Sequence, residues 1–314
     1  MNDSFQFVVL AARPCRRKEL FGLSNLIDSV NALQPPFVLH VGGDTAACVA
    51  KSEKRLRKII AFFNQFHCPV IFTPGEREWV DAEDAFDCLE RARSLFWGTS
   101  VHLENTLSAF SQQAAQGDHK QMQENVLWMH GCVLFLTLHT VGCNNNLGRG
   151  KAFNSDFSYR NKANLDWLDV GFSVALENRL EGVVICTHAD PWRGNGNNAG
   201  NGFRQILTSI RRWSKRFTGR VLVIHGEQDG LLLDQPLTIG QHSKRVLENM
   251  IRLRVPGRAG QGVVVNADPA MPDLFSISTL TAINSVFSTY DRTTLRDAPV
   301  DILRHTTGVP VSWG

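Results

Sequence analysis

Five titratable side chains follow the ends of predicted strands, where they could carry acid–base chemistry. Glu78 and His188 each follow an apolar run, and His225, Glu227 and Asp229 lie at the end of a third. A carboxylate or an imidazole buried near arginines can have its pKa moved towards neutrality and then transfer protons to and from a small substrate. This pattern favours Glu78, His188 and Glu227 as candidate catalytic residues.

A second set of polar side chains could bind an anion at the same strand ends. Arg13 and Arg77 also follow apolar runs, and a guanidinium binds phosphate or carboxylate through two parallel hydrogen bonds. Asp44 follows a pair of glycines, and Asn144 and Asn145 lie in an amide-rich turn. The candidate ligand-binding residues are these five together with His188, His225 and Asp229. We expect them to bind an anionic small molecule or a protein partner.

Two of these residues also have an ordinary structural interpretation. His225 lies within an apolar strand, where a histidine is more often a hydrogen-bonded core residue. Glu78 could simply pair with Arg77 or Arg13.

The elements that would position these side chains are short apolar strands that stop at small or polar residues. The central one, Phe37-Val-Leu-His-Val, runs directly into Gly42-Gly-Asp44. Glycines after a fully apolar strand let the backbone approach a ligand closely. The same pattern predicts strands at 5–12, 69–74, 182–188 and 220–226. Because α/β sheets keep their sites where strand ends converge, we expect one crevice there.

Apolar residues at helical spacing separate these strands. They predict helices at about 18–32, 51–66, 82–96, 164–180 and 203–217. A β-hairpin is predicted at 126–139, and further strands near 250–255, 262–266 and 273–277. Antiparallel pairs that follow early βα units indicate mixed sheets. Periodicity fades after residue 277, so we predict one domain at 1–277 and a C-terminal extension at 278–314.

The composition of the chain argues against several classes of function. The chain carries 33 basic and 30 acidic residues, a net charge of +3, so no overall field favours nucleic acid as a partner. No apolar segment approaches the roughly 20 residues that span a bilayer, and the N-terminus carries an aspartate where a signal peptide has bases. We therefore expect a cytoplasmic protein with no membrane partner. The seven cysteines form no Cys-x-x-Cys pair, which argues against a disulfide framework or a zinc ribbon.

Several longer motifs resemble those of the calcineurin-like metallophosphoesterases, in particular a bacterial branch with a Gly-Asp-Asn-Glu-Trp turn. The motifs span residues 5–277 in the family's order. They are Phe37-Val-Leu-His-Val-Gly, Phe72-Thr-Pro-Gly-Glu-Arg-Glu-Trp79, Val141-Gly-Cys-Asn-Asn-Asn146, Arg160-Asn-Lys-Ala-Asn-Leu-Asp-Trp-Leu168, Val183-Val-Ile-Cys-Thr-His-Ala-Asp-Pro191, and Val221–Gly226 followed by Asp234-Gln-Pro236. The resemblance implies a four-layer α/β/β/α sandwich with two mixed β-sheets. It also implies a two-metal site at the strand ends, where paired cations clamp a phosphate and generate hydroxide.

The chain departs from this family at three metal-ligand positions that the resemblance implies. Ala12 stands for the first-strand aspartate, and Gly43 for the bridging aspartate, with Asp44 one residue late. Arg77 stands for the asparagine of the Gly-Asp-Asn-Glu turn. A methyl group and a hydrogen offer no ligand atom, and a guanidinium repels a cation.

The remaining ligand positions support at most one ion. His188 stands at a retained position, and Glu227 and Asp229 could join it on a single cation. We therefore expect no two-metal centre and no cofactor beyond one divalent metal ion.

Three functions follow as hypotheses. The first is a pseudoenzyme of this fold that binds an anionic small ligand or a protein. The second is a metal-independent or single-metal enzyme that reuses the crevice for acid–base or hydrolytic chemistry. The third is a structural subunit of a larger assembly. The sequence does not predict an active two-metal phosphoesterase.

Overall fold

Two mixed β-sheets organise the chain. The computed structural model describes residues 4–11, 20–42, 53–97, 107–114, 118–193, 200–227, 230–240, 243–258, 260–281 and 289–290. In chain order the strands are β1 (Phe5–Leu10), β2 (Val38–His40), β3 (Val70–Phe72), β4 (Phe110–Ser111), β5 (Val126–His130), β6 (Val133–Leu138), β7 (Gly182–Thr187), β8 (Arg220–Glu227), β9 (Leu232–Asp234), β10 (Met250–Pro256), β11 (Gln261–Ala267), β12 (Phe275–Thr281) and β13 (Thr289–Tyr290).

Each sheet combines a group of parallel strands with antiparallel strands. The six-stranded sheet has the order β13-β12-β11-β1-β2-β3, in which β1, β2 and β3 are parallel. The seven-stranded sheet has the order β4-β5-β6-β7-β8-β10-β9, in which β6, β7, β8 and β10 are parallel. The parallel strands of one sheet end at the same edge, so the residues after β2 and β3 lie close together, and so do those after β6 and β7.

Helices cover the outer face of each sheet. They are α1 (Leu20–Leu33), α2 (Glu53–Phe63), α3 (Ala85–Phe96), α4 (Lys151–Glu177) and α5 (Arg204–Arg216). In β1, Phe7 and Val9 face the other sheet, whereas Val8 and Leu10 pack with residues of α1 and α2. On the far side, α4 and α5 pack on the seven-stranded sheet through residues such as Trp167 and Ile210. The layers are therefore helix, sheet, sheet and helix, as predicted.

The predicted strands and the hairpin are confirmed, with small shifts at their ends. The hairpin forms as β5 and β6 around Gly131, whose φ of 56° suits glycine. The last predicted strand continues beyond 277 to Thr281 and pairs with β11 throughout. Apart from residues 289–290, the chain after residue 281 lies outside the described residues, so the predicted extension is untested.

Helix α4 begins at Lys151, well before the predicted start near 164. Its first half buries Arg160, Asn161 and Asn164 in place of apolar residues. A helix face that is buried through hydrogen bonds leaves no apolar periodicity in the sequence, which is why the prediction started late. In the ranges described above, no helix has the length and apolar character that crossing a membrane requires.

Candidate functional site

The two sheets meet at His188, which follows β7. Its Nδ1 lies 2.7 Å from the carbonyl oxygen of Val41, after β2, and its Nε2 lies 2.9 Å from Oε2 of Glu76, after β3. The same Glu76 oxygen accepts the backbone N–H of Gly142, after β6, at 2.9 Å. The side chains of His188 and Glu76 are only 4% and 12% exposed. Four strand ends from both sheets are thus tied together by one imidazole and one carboxylate.

The hydrogen bonds define the protonation state of His188. The Val41 carbonyl can only accept, so Nδ1 carries a proton, and an ionised Glu76 can only accept, so Nε2 carries one too. Burial alone would lower the pKa of His188, but the Glu76 carboxylate raises it to about 9. Burial likewise opposes ionisation of Glu76, yet His188 and the Gly142 amide hold its pKa well below the usual range. The two side chains form a buried ion pair at neutral pH.

Two glycines enclose the imidazole. A Cβ placed on Gly42 would lie 2.4 Å from Nδ1 of His188, and one on Gly75 would lie 2.4 Å from Nε2. Gly42 also has a φ of +75°, whereas Gly75 has an ordinary φ of −109°. At Gly75 the need for glycine is therefore purely steric.

We expect Gly75→Ala to lower the free energy of unfolding by about 1–3 kcal/mol, because the added methyl group overlaps the His188 ring. Gly240→Ala is the matched control, since its nearest neighbour would be 3.9 Å from the new Cβ. Urea unfolding of both variants provides the measurement. Equal losses in the two variants would contradict the tight packing around His188.

The side chains of the two residues that follow Glu76 are engaged in interactions within the protein. Arg77, a predicted anion ligand, forms an ion pair with Asp81. Glu78, a predicted catalytic residue, is fully buried and accepts the backbone N–H of Gly75 at 2.8 Å. Glu78 thus stabilises the turn that presents Glu76 to His188.

The amide-rich turn adopts an unusual backbone. Cys143, Asn144, Asn145 and Asn146 all have positive φ values, between 51° and 70°. Asparagine tolerates this left-handed region better than most residues, which explains the run of three. The turn also places the N–H of Gly142 on Glu76.

The predicted ligand residues Asn144 and Asn145 hold neighbouring segments. The Asn144 amide donates to the carbonyl of Gly200 at 2.9 Å and accepts the N–H of Gly202 at 2.8 Å. Oδ1 of Asn145 accepts from Arg160 at 2.7 Å. The amides therefore hold Gly200, Gly202 and Arg160 of α4 against the turn.

A second buried network lies behind Trp79. Glu124, with no exposed surface, accepts from Arg93 Nη2 and from His139 Nδ1, both at 2.7 Å. Trp79 donates its indole N–H to Nε2 of His139 at 3.1 Å, so this imidazole is neutral. Burial lowers the pKa of His139 accordingly. Burial opposes ionisation of Glu124, but Arg93 lowers its pKa to about 2.

His225 is buried and belongs to a separate group of side chains. Its Nδ1 contacts the carbonyl oxygen of Gly226 at 3.1 Å, and its Nε2 lies 3.7 Å from Asp190. Asp190 also lies 3.5 Å from Arg252, whose other partner is Asp234. Burial lowers the pKa of His225 to about 4, so it is neutral at physiological pH. The N–H of Gly226, which follows His225, donates to the carbonyl oxygen of His188 at 3.1 Å, so the two histidines lie at neighbouring strand ends, but their rings bind different partners.

Several predicted residues cannot be placed. Arg13, Asp44 and Asp229 lie outside the described residues, as do positions 12 and 43, and the side chain of Glu227 is likewise outside. Their predicted roles as ligand-binding, catalytic or metal-binding residues stay predictions.

The described residues do not fit the metal centre that the resemblance implies. A metal ligand must offer a lone pair, but both ring nitrogens of His188 donate hydrogen bonds to protein oxygens. Arg77, at another ligand position that the resemblance implies, is a cation paired with Asp81 and offers no lone pair. In the part of the chain that the structure describes, no group of three or more His, Cys, Asp or Glu side chains is arranged to hold a metal ion.

Sequence reasoning identified His188 but missed its partner, Glu76. The Gly75-Glu-Arg-Glu turn offers two carboxylates, and the pattern gave no reason to prefer the first. The signal lay in the combination of a glutamate at the turn with a histidine at another strand end, but 112 residues separate the two.

Comparison with solved structures identifies the fold. One match is GAP50, the anchor in the inner membrane complex of Plasmodium, with 9% identity and a TM-score of 0.54 over 92% of this chain and 88% of that one. Another is a purple acid phosphatase from yellow lupin (Lupinus luteus) seeds, with 11% identity and a TM-score of 0.56 over 96% of this chain. The chain spans 56% of the lupin protein's length. No protein-family model and no curated protein sequence matches the chain. The two mixed sheets and their helical layers therefore form the α/β fold of the metallophosphoesterases.

Proposed function

We propose that this chain is a non-catalytic protein of the metallophosphoesterase fold, in which an internal ion pair replaces the metals. The protein would act by binding a partner protein. We also propose a relationship to the bacterial branch with the Gly-Asp-Asn-Glu-Trp turn, supported by Gly75-Glu-Arg-Glu-Trp79.

The observation that carries this proposal is the His188–Glu76 pair. A doubly protonated imidazole cannot coordinate a cation, and a carboxylate that accepts from His188 and Gly142 already has two donors. The positive charge that a phosphatase would take from its metals is supplied here by a histidine and neutralised at once by Glu76. A substrate phosphate therefore meets no uncompensated positive charge at His188.

The same contacts favour a protein over a small anion as the bound partner. Arg77, the described guanidinium nearest to the pair in sequence, is already neutralised by Asp81. A small anion that binds at His188 or Arg77 would have to displace Glu76 or Asp81 from its cation, whereas a protein can bind the outer surface without displacing either. One solved structure of similar fold is an anchor, which supports a binding role for such a scaffold.

Metal content and phosphatase activity test the proposal together. We expect protein purified from cells supplied with Mn, Fe and Zn to hold far less than one equivalent of any of them. We also expect release of phosphate from p-nitrophenyl phosphate to stay at background, with or without EDTA. Near two equivalents of metal, or phosphate release that EDTA abolishes, would contradict it.

A further inference from the structure

A cleft of about 490 Å³ opens between α3 and α4, away from the His188–Glu76 pair. Its walls combine apolar residues with carboxylates and hydroxyls, including Phe86, Leu89, Glu90, Asp156 and Tyr159. Small-molecule sites in proteins have volumes of about 300–1,000 Å³. The cleft is thus large enough for a small organic ligand or for one long side chain of a partner.

Each carboxylate of the cleft lies nearer to the solvent than the arginine it is paired with, but only Glu90 is open to solvent, since the side chain of Asp156 is 10% exposed. Glu90 is 64% exposed, while Arg93, to which it is paired, is only 5% exposed. Arg160 has no exposed surface and binds Oδ2 of Asp156 through both Nε and Nη2.

Both arginines already use their donors within the protein. Arg93 binds Glu124 through Nε and Nη2 and Glu90 through Nη1. The Nη1 of Arg160 donates to the carbonyl of His139 and to Asn145. A ligand that enters the cleft therefore meets carboxylate oxygens and no available guanidinium donor from these two residues.

The wall formed by α3 also carries an aromatic ring, that of Phe86, one helical turn before Glu90. Phe86 is 37% exposed, and its ring packs between Trp79, at 6.0 Å, and Phe153, at 5.3 Å between centroids. A cation near an aromatic face is attracted by about 0.5–1 kcal/mol at an exposed site. The cleft therefore places this ring beside Glu90 on α3 and across from Asp156 on α4.

One rim of the cleft is held in place by Tyr159. Its hydroxyl accepts the N–H of Gln121 at 3.3 Å and donates to the carbonyl of Asp118 at 3.4 Å. A ligand would therefore bind without ordering this rim first, which favours affinity.

We propose that this cleft binds an organic cation, an ammonium or guanidinium group carried on an apolar body. The charged group would lie between Glu90 and Asp156, and the apolar body would pack on Phe86 and Leu89. Two sources share this chemistry: a free alkyl- or arylamine, and a lysine or arginine side chain of a partner. This proposal does not depend on the function proposed above and is tested separately.

Calorimetric titration with three matched probes tests the charge preference. We expect phenethylamine to bind at millimolar concentration, and phenethyl alcohol and 3-phenylpropionate to bind at least tenfold more weakly. A capped arginine amide distinguishes the two sources. If it binds more tightly than phenethylamine does, the cleft binds a partner's side chain. If it binds more weakly, the cleft binds a free amine. Failure of both cations to bind, or equal binding of the carboxylate, would overturn the proposal.

Surface substitutions locate the binding. Glu90→Gln should weaken binding of the preferred cation about threefold, as for an exposed ion pair. Phe86→Leu should do so by a similar factor, and the double variant about tenfold. Glu83→Gln, an exposed carboxylate of the segment before α3 that does not line the cleft, should leave affinity unchanged. Unchanged affinity in the double variant, with an unchanged melting temperature, would place the ligand elsewhere and reject the cleft.

Discussion

Glu124→Gln should lower the free energy of unfolding by about 3–5 kcal/mol, the cost typical of removing one partner from a buried ion pair. Glu124 has no exposed surface, and Arg93, which donates to it at 2.7 Å, is 5% exposed. The substitution keeps the shape of the side chain but leaves a buried guanidinium without its main counter-charge. His139 loses its charged acceptor at the same time.

Glu90→Gln is the matched control for this prediction. Glu90 contacts the same Arg93 at the same 2.7 Å, but its side chain is 64% exposed. Water screens such a pair, so we expect a loss of less than about 1 kcal/mol. Urea unfolding of both variants gives the two free energies of unfolding to be compared. Similar losses would show that burial of the Glu124 pair adds nothing to stability.

The architecture could be predicted from sequence because the strands are unbroken apolar runs. β7 is buried along its whole length and β8 from Val221 to Gly226, and each stops at a change of residue type that marks its boundary. The start of α4 could not be predicted in this way, because Arg160 and Asn164 are buried by hydrogen bonds to the carbonyl of His139. In the sequence, polar residues at such positions have the pattern of a solvent-exposed helix face.

The location of the site at a set of strand ends could be predicted from the sequence, but the pairing of its side chains could not. The sequence placed His188 and the Gly75–Trp79 turn at one crevice, and the structure brings them together. Which carboxylate reaches the imidazole depends on the 3-10 turn at Glu76–Glu78. In that turn Glu76 points to His188, and Glu78 folds back onto the N–H of Gly75. An extended segment would have placed both on one side, and periodicity cannot distinguish the two cases.

Glu76→Gln should lower the pKa of His188 from about 9 to near or below its ordinary value of 6.5. Burial of the ring opposes its positive charge, and the carboxylate that does most to overcome this opposition is lost, while the weaker effects of Glu78 and the Val41 carbonyl remain. An amide of the same shape still accepts a hydrogen bond but carries no charge. Histidine ring signals followed by NMR across pH 5–10 give the titration directly. Asp81→Asn, which removes a nearby carboxylate that does not contact His188, is the control and should leave the pKa near 9.

The same substitution should change how stability depends on pH. The pKa of His188 is raised on folding, so the stability that the imidazolium contributes is fully present below pH 6.5 and is lost as pH rises through about 9. The pKa of Glu76 is lowered, so its contribution is present above its ordinary value of 4.5 and is lost as pH falls below that value. Between pH 6.5 and 9 the wild-type protein should therefore lose about 2–3 kcal/mol more than Glu76→Gln. Parallel stability curves across this window would mean that His188 is neutral in the folded protein, and the ion pair would then be no substitute for the metals.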